Sequence, residues 1–376
     1  MESPSEILDI ALTTASAHLD DPLVDALETI ERVKYVVRNE QNRAGVRLLM
    51  AALLAKIHQP EIDIRKPYTE IGTSDAYSGR TYDESYITDF IMKHNLPCNH
   101  TTAFLTPALR NRNITLTPDI NLVGRPPKVY EDTLQLLTEV HTGQVSAEAL
   151  LAETLRSLIL YRDYKRLRLK VLLEGLNTSG NSIPLSAEAI VTLIQQHLAT
   201  PHSSRLPVLV VAAAYGSAEK YLGERFLPLH SHNAADRQTG ALGDLEVTLI
   251  NESRVVTSYE MKTRRVTQDD IDLALQKIVT HGARIDNYIF ITTDVIDREV
   301  SDYAQSIYEA TGGIEVIILD CIGFLRHFLH LFHRLRPQFL DKYQDLLLEE
   351  PESAVRQELK EAFLILRKAA ESGIQE

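Results

Sequence analysis

The apolar positions of the chain fall into three regimes. From residue 5 to 58 they recur at helical spacing: Leu23, Ala26, Leu27 and Ile30 follow Asp21 and Pro22, which read as an N-cap and an N1 proline. "RLLMAALLAKI" (47–57) is a further, strongly apolar helix, and with no groove or ligand motif these helices read as scaffold. Residues 61–128 lose long periodicity and are dominated by Thr, Tyr, Asn, Arg and Pro. One short helix is expected there, starting at Asp83 with Ile87, Phe90 and Ile91 on its inner face. Helical pattern returns over 129–174. "NTSGNSIP" (177–184) reads as a linker, and Ser186 as the cap of a helix reaching to about 198.

From residue 206 the pattern alternates. A strand at 206–213 is expected to lead into a helix, "GSAEKYLGERFL", and two strands follow within "ALGDLEVTLINESRVVTSYEMKTRR" (241–265). Thr267 then caps a helix with Asp269 and Asp270 in its first turn and Ile271, Ala274, Leu275 and Ile278 on one face. A strand at 287–293, a helix at 297–310, a strand at 314–320, a helix from 322 and an amphipathic tail helix from Pro351 complete the series. A hairpin followed by two strand–helix crossovers implies an α/β fold with a mixed sheet between helices. The expected organisation is a mainly helical domain over 1–180, with the irregular 61–128 segment inside it, a catalytic domain over 186–345, and a C-terminal helix over 346–376.

Composition changes this picture little. At 376 residues, 44% apolar and 24% charged, the chain is an ordinary globular one. Its opening, "MESPSEI", has neither a basic n-region nor an apolar h-region, and the longest apolar run, "LPVLVVAAAY" (206–215), is too short to span a bilayer. Cys98 and Cys321 are too few for a disulfide framework or a thiolate metal site. A cytoplasmic protein is the expectation. The formal charge of −13 argues against a chain-wide basic footprint for nucleic acid. Local basic stretches remain at "YRDYKRLRLK" (161–170), "KTRR" (262–265) and "RHFLHLFHRLR" (326–336).

What needs explaining is charge inside the expected hairpin. Because strand side chains alternate faces, Asp244 and Glu246 share one face of the first strand, and Glu260 and Lys262 one face of the second. If the hairpin is symmetric about Glu252, paired residues sum to 504 and Asp244 lies opposite Glu260. Opposed residues sit about 4.5–5.5 Å apart at Cβ, where like charges repel. A divalent cation removes that repulsion. Mg²⁺ is typically held by one or two carboxylates plus waters and phosphate oxygens, and it lowers the pKa of a bound water. Lys262 is placed to orient the attacking water or neutralise charge building on a phosphate. The competing interpretation is an exposed strand face with an ordinary Glu–Lys pair. Asp163–Lys165 and Glu358–Lys360 have similar spacing but lie in helical patterns, where that spacing does not put a pair on one face.

Asp244 and Glu260-x-Lys262 on a hairpin, preceded by a helix and followed by helix and strand, resemble the PD-(D/E)xK nuclease core over residues 206–320. The family often has Pro before its first Asp; here the residue is Gly243. The resemblance implies that Asp244 and Glu260 are Mg²⁺ ligands and Lys262 the catalytic lysine. Many members add an acid from the preceding helix. Glu219 is the candidate, with a helix-surface glutamate as the alternative, whereas Glu224 reads as a surface partner of Lys220. Glu246 is an extra ligand or only a polar neighbour.

"YTEIGTSDAYSGRTYDESYITDFI" and "NHTTAFLTPALRNRN" resemble segments of type II restriction endonucleases of the SacI-like family, which extends the resemblance over most of the chain. The family implies Mg²⁺-dependent double-strand cleavage of DNA at a short specific site by a homodimer, with a partner methyltransferase protecting host DNA. Arg reads guanine and Asn adenine in the major groove. Arg80 on a small-residue loop and Arg110, Asn111 and Arg112 are therefore recognition candidates, against a plain helix C-terminus carrying cations. Arg264 and Arg265 follow the second strand and suit phosphate contact. "HSH" (230–232) and "ADRQTG" (235–240) read as a loop beside the site. His327, His330 and His333 drift round their helix and favour packing, DNA-backbone or dimer contact over metal. The alternatives are another defence or modification-dependent DNA nuclease of the same core, and a non-catalytic DNA-binding protein that kept the fold.

Overall fold

The sequence from Ala44 to His58 is apolar on every side, and that decides its place. In a computed structural model describing residues 2–99, 101–177, 184–229, 241–282 and 284–372, this helix runs through the middle of the first of two units, Met1–Arg168 and Leu169–Glu376. Around it, in chain order, lie α1 (Pro4–Ala17), α2 (Leu27–Arg38), the central helix itself as α3, the short α4 (Gly79–Tyr82) and α5 (Thr88–Lys93), α6 (Lys128–His141) and the start of α7 (Ala147–Asn177). Residues 44–55 of α3 are all buried, as an all-round apolar helix requires. The division between the units, at Arg168/Leu169, falls within α7.

Three expectations for this unit need correction. Asp21 and Pro22 do not start a helix: α2 begins at Leu27, and Ala26 and Leu27 are exposed. The segment before it is instead held non-helical by α7, where Glu153 accepts the Leu23 N–H at 2.9 Å and Arg156 donates to the Leu19 carbonyl. The helix expected from Asp83 starts earlier, at Gly79, capped by Ser78, and passes through a π-turn at Asp83–Ile87. Arg80 therefore sits on a helical turn, not a loop. Ile87, Phe90 and Ile91 are buried as expected.

The second unit holds a five-stranded sheet in the order β1 (Glu224–Phe226), β2 (Leu245–Leu249), β3 (Val255–Lys262), β4 (Asn287–Thr292) and β5 (Glu315–Asp320). The β1–β2–β3 pairs are antiparallel and β3–β4–β5 parallel, so the fold is mixed α/β. One face packs Leu245, Val247, Tyr259, Ile289 and Ile291 against α8 (Ala187–Leu198), α9 (Leu206–Leu222), α12 (Cys321–Leu331), α13 (Arg336–Glu349) and α14 (Gln357–Ser372). The other packs Tyr288, Phe290 and Val316 against α10 (Gln268–Thr280) and α11 (Arg298–Thr311). Ser186 caps α8, and Thr267 closes a capping box with Asp270 on α10, as their sequences indicate.

Residues 206–213, expected as a strand, form the first half of α9. A short apolar run is ambiguous between buried strand and buried helix; here Pro207 in the first turn and the alanines at 212–214 favour helix, and the segment is buried all round. The helix ends at Leu222, one residue before Gly223 in the left-handed region (φ 71°). Glu224, expected on that helix beside Lys220, is instead the first residue of β1, opposite Leu249. The expected linker centres on residues 178–183, which lie outside the described residues, as do "HSH" and "ADRQTG". Among the described residues no helix is long and apolar enough to cross a membrane. Cys98 and Cys321 are buried thiols, and burial pushes both up to about 12.

One buried group in this unit makes stability depend on pH. His197 on α8 is fully buried; Nε2 donates to the Leu359 carbonyl and Nδ1 accepts from the Tyr343 hydroxyl, both at 3.0 Å. Burial, partly countered by the Leu359 bond, pushes its pKa down to about 4, against about 6.5 in an unfolded chain. The folded state thus holds it neutral, and its contribution is complete above about pH 6.5. That contribution is lost as pH falls toward 4, by about 3 kcal/mol at most. The urea midpoint of the wild type should fall accordingly across this range, and His197→Gln should flatten that dependence.

Candidate active site

β3 is longer than β2, and the site begins where β2 stops. The ladder pairs Leu245 with Tyr259, Glu246 with Ser258 and Val247 with Thr257, before a bulge at Val247/Thr248. That register carries Asp244 to the level of Glu260. Beyond Leu245 the Met261 N–H has no strand partner on this side, and the Asp244 carboxylate takes it instead, Oδ2 accepting at 2.7 Å. The Asp244 N–H in turn donates to the Tyr259 carbonyl at 2.8 Å. Gly243 permits this crossing: a Cβ there would come within 2.5 Å of the Tyr259 carbonyl oxygen and 2.6 Å of Ser258 Oγ. Any side chain at 243, a proline ring included, would meet the backbone of β3.

Glu246, Ser258, Glu260 and Lys262 alternate onto the face covered by α10 and α11, with Glu260 beside Phe290 and Lys262 beside Thr292 of β4. Charge is tolerated there because it is paired. Lys262 Nζ lies 3.1 Å from Glu260 Oε1 and 3.4 Å from Asp270 Oδ1 of α10. Glu260 Oε2 accepts from the Tyr288 hydroxyl at 3.2 Å and lies 3.6 Å from Lys277 Nζ, also on α10. Glu246 Oε1 accepts the Leu242 N–H at 2.9 Å. Asp270 takes both terminal nitrogens of Arg264 at 2.8 Å and the Thr267 N–H at 3.0 Å.

The two central acids are pushed in opposite directions. Burial raises the Asp244 pKa above the usual carboxylate range; the Met261 N–H opposes this, the charge of Glu260 adds to it, and Arg205 and Lys262 oppose it. For Asp270 burial also acts upward, but the Arg264 bond, the Thr267 bonds and the charge of Lys262 outweigh it and hold it well below that range. Asp270 is therefore a fixed anion at neutral pH, whereas Asp244 carries repulsion that a cation relieves.

The structure thus brings together Asp244, Glu260 and Lys262, with Glu246 adjoining. It does not bring Glu219. At the other end of α9 the charge of Arg205 acts on Asp244, and Glu219 lies about 21 Å further along the helix axis. That end adjoins β1, which pairs with the far end of β2 through Glu224 and Leu249. Arg205 itself is buried and donates to Glu350 Oε1 at 2.9 Å. Arg264 and Arg265 lie just past β3, but both meet carboxylates, Arg264 at Asp270 and Arg265 at Asp294 and Asp297. In the first unit Arg80 is exposed and pairs with Glu84, while Arg110 and Asn111 are exposed on a turn. Arg112 donates to the Ala108 carbonyl at 2.9 Å. Asn111 and Asn113 have positive φ, so this cluster is a turn and not a helix C-terminus. His327, His330 and His333 are exposed and do not pack inward; His330 and Arg326 share Glu188.

The residues that sequence reasoning missed are Asp270, Lys277 and Tyr288. Asp270 has a sufficient local explanation as the N3 residue of a capping box, which hides its second role. The spacing of 270, 274 and 277 on one amphipathic face is the available signal.

Among the described residues no three His, Cys, Asp or Glu side chains gather as a ready metal cage. The donor chemistry nevertheless fits Mg²⁺, which needs only one or two carboxylates beside water and substrate oxygens. Asp244 and Glu260 are two such carboxylates on neighbouring strands, close enough that the charge of Glu260 disfavours that of Asp244. Residues 182–293, which contain Asp244, Glu246, Glu260, Lys262, Asp270, Lys277 and Tyr288, match the SacI restriction endonuclease C-terminal domain. No curated protein matches the chain.

Proposed function

We propose, on the premise that residues 182–293 form the C-terminal domain of a SacI-like restriction endonuclease, that the protein is a type II enzyme making Mg²⁺-dependent double-strand cuts at a specific DNA site. The observation that carries this reading is the convergence of Asp244, Glu260 and Lys262 at one end of the β2–β3 hairpin inside that domain. The succession α9–β1–β2–β3–α10–β4 supports a PD-(D/E)xK core, with two antiparallel pairs followed by a parallel one.

In this reading Asp244 and Glu260 hold Mg²⁺, which when bound offsets phosphate charge and acidifies a water. Met261 and Tyr288 fix the two carboxylates, so little reorganisation is needed on binding. Lys262 Nζ orients the attacking water or donates to a non-bridging phosphate oxygen. Glu246 stays a polar neighbour engaged with the Leu242 N–H. Arg265 meets DNA phosphates by exchanging its present carboxylate partners, Arg264 reaches phosphate while keeping Asp270, and Arg80, Arg110, Asn111 and Arg112 read bases. Two copies of the chain serve the two strands, and a methyltransferase protects the host's own sites.

Incubation of the protein with unmethylated plasmid and phage DNA in Mg²⁺ tests the reading. Discrete fragments are expected on a gel. A smear would replace the site-specific reading with a nonspecific nuclease, and intact DNA with every divalent cation tried would sink the enzyme altogether.

A further inference from the structure

Lys262 has two anchors of different kinds. Glu260, on its own strand, is also a proposed cation ligand; Asp270, on α10, is not. Asp270 is 7% exposed and is itself held by Thr267 and by Arg264, so its carboxylate cannot swing away without breaking the cap of α10. When Glu260 Oε1 is given over to a cation, Lys262 loses the nearer anchor and keeps the other. We propose that Asp270 is the positioning residue of the site: it holds the Lys262 ammonium against the sheet end while Glu260 is engaged elsewhere, and through Arg264 it ties that lysine to the strand exit. The inference rests on the reading of Lys262 as the catalytic lysine and adds a residue from outside the strands to it.

Asp270's second oxygen serves cations alone. The Thr267 N–H and hydroxyl and Arg264 Nη1 converge on Oδ2 from the loop side, while Oδ1 takes Arg264 Nη2 at 2.8 Å and Lys262 from the sheet at 3.4 Å. A cap alone needs one oxygen facing the Thr267 N–H. Asparagine satisfies that requirement but carries no charge for Lys262.

The test compares Asp270→Asn with Asp270→Glu in the full chain. In steady-state cleavage of a plasmid carrying one site, Asp270→Asn should lower kcat by about 10-fold or more with KM for DNA unchanged, the range of a lost outer partner. Asp270→Glu should recover most of kcat. The second readout uses no metal and no turnover: labelling of lysines by an amine-reactive reagent in EDTA, read by mass spectrometry. Lys262 should react severalfold faster in Asp270→Asn than in wild type and Asp270→Glu, with the exposed Lys220 unchanged. Wild-type kcat in Asp270→Asn, an equal loss in Asp270→Glu, or unchanged Lys262 labelling would each overturn the proposal. Should Asp270→Asn not fold, the wild-type protein still decides. On adding Mg²⁺, Lys262 should stay slower to label than Lys220, and equal rates would overturn the anchor. Absence of any cleavage by wild type strikes the proposed function, whereas the metal-free labelling bears on Asp270 alone.

Discussion

Lys262→Ala is expected to remove DNA cleavage and leave the fold and DNA binding in place. The side chain is 20% exposed at the end of a strand, so its loss admits water and leaves no dry cavity. Its two carboxylate partners do not become orphans, since Glu260 keeps Tyr288 and Lys277 and Asp270 keeps Arg264 and Thr267. What disappears is a preorganised cation where negative charge develops, and removal of one such donor costs on the order of 10²–10³ in rate. Gel-shift titration in Ca²⁺ should give a Kd within a few fold of wild type, because one point charge among many phosphate contacts is lost. Plasmid cleavage within 10-fold of wild type would remove Lys262 from the proposed mechanism.

Why this part of the molecule could be read in advance follows from how strands encode it. Alternation fixes the face of each residue, so Glu260 and Lys262 had to project together, and a register centred on Glu252 had to bring Asp244 level with Glu260; the observed pairing of Leu245 with Tyr259 keeps that sum. Helix caps were equally local, as Ser186 and Thr267 illustrate. What escaped prediction depends on partners distant in sequence or on ambiguous local pattern. Residues 206–213 are apolar at every position, and no periodicity separates a strand from a helix buried on all sides. β1 has only three residues, two of them charged, behind a helix that already accounted for them. Acids on the preceding helix are common in the resembled fold, which points to Glu219, but the end of that helix adjoining Asp244 presents Arg205 and not a carboxylate. The role of Asp83 is the extreme case, a charge assigned to a helix start that the fold buries completely.

Asp83→Ala is expected to be the most destabilising single substitution in the first unit. Asp83 and Arg47 are both fully buried. Arg47 Nε donates to Asp83 Oδ1 at 2.7 Å, Nη2 to the same oxygen and to Thr88 Oγ1, and Nη1 to the Asn99 carbonyl. Oδ2 of Asp83 accepts from Thr102 Oγ1 at 2.6 Å and the Ala103 N–H at 2.7 Å. Removing the carboxylate leaves a buried guanidinium in the first turn of α3 without its counter-ion and two loop donors unsatisfied. Breaking a buried pair in this way costs about 3–5 kcal/mol, a large part of the 5–15 kcal/mol that holds a typical domain together. Replacing both partners by apolar residues of similar volume, as in Arg47→Met with Asp83→Leu, should recover much of that loss, because no lone charge remains. The chain has no tryptophan, so urea unfolding followed by circular dichroism is the suitable measurement. A further consequence reaches the proposed base-reading turn. Thr102 and Ala103 begin the segment that leads to Arg110, Asn111 and Arg112, and without Asp83 its start is untied. The double variant should therefore fold but bind specific DNA less tightly than wild type, by gel shift. A single Asp83→Ala variant as stable as wild type would show that the pair contributes nothing to the fold.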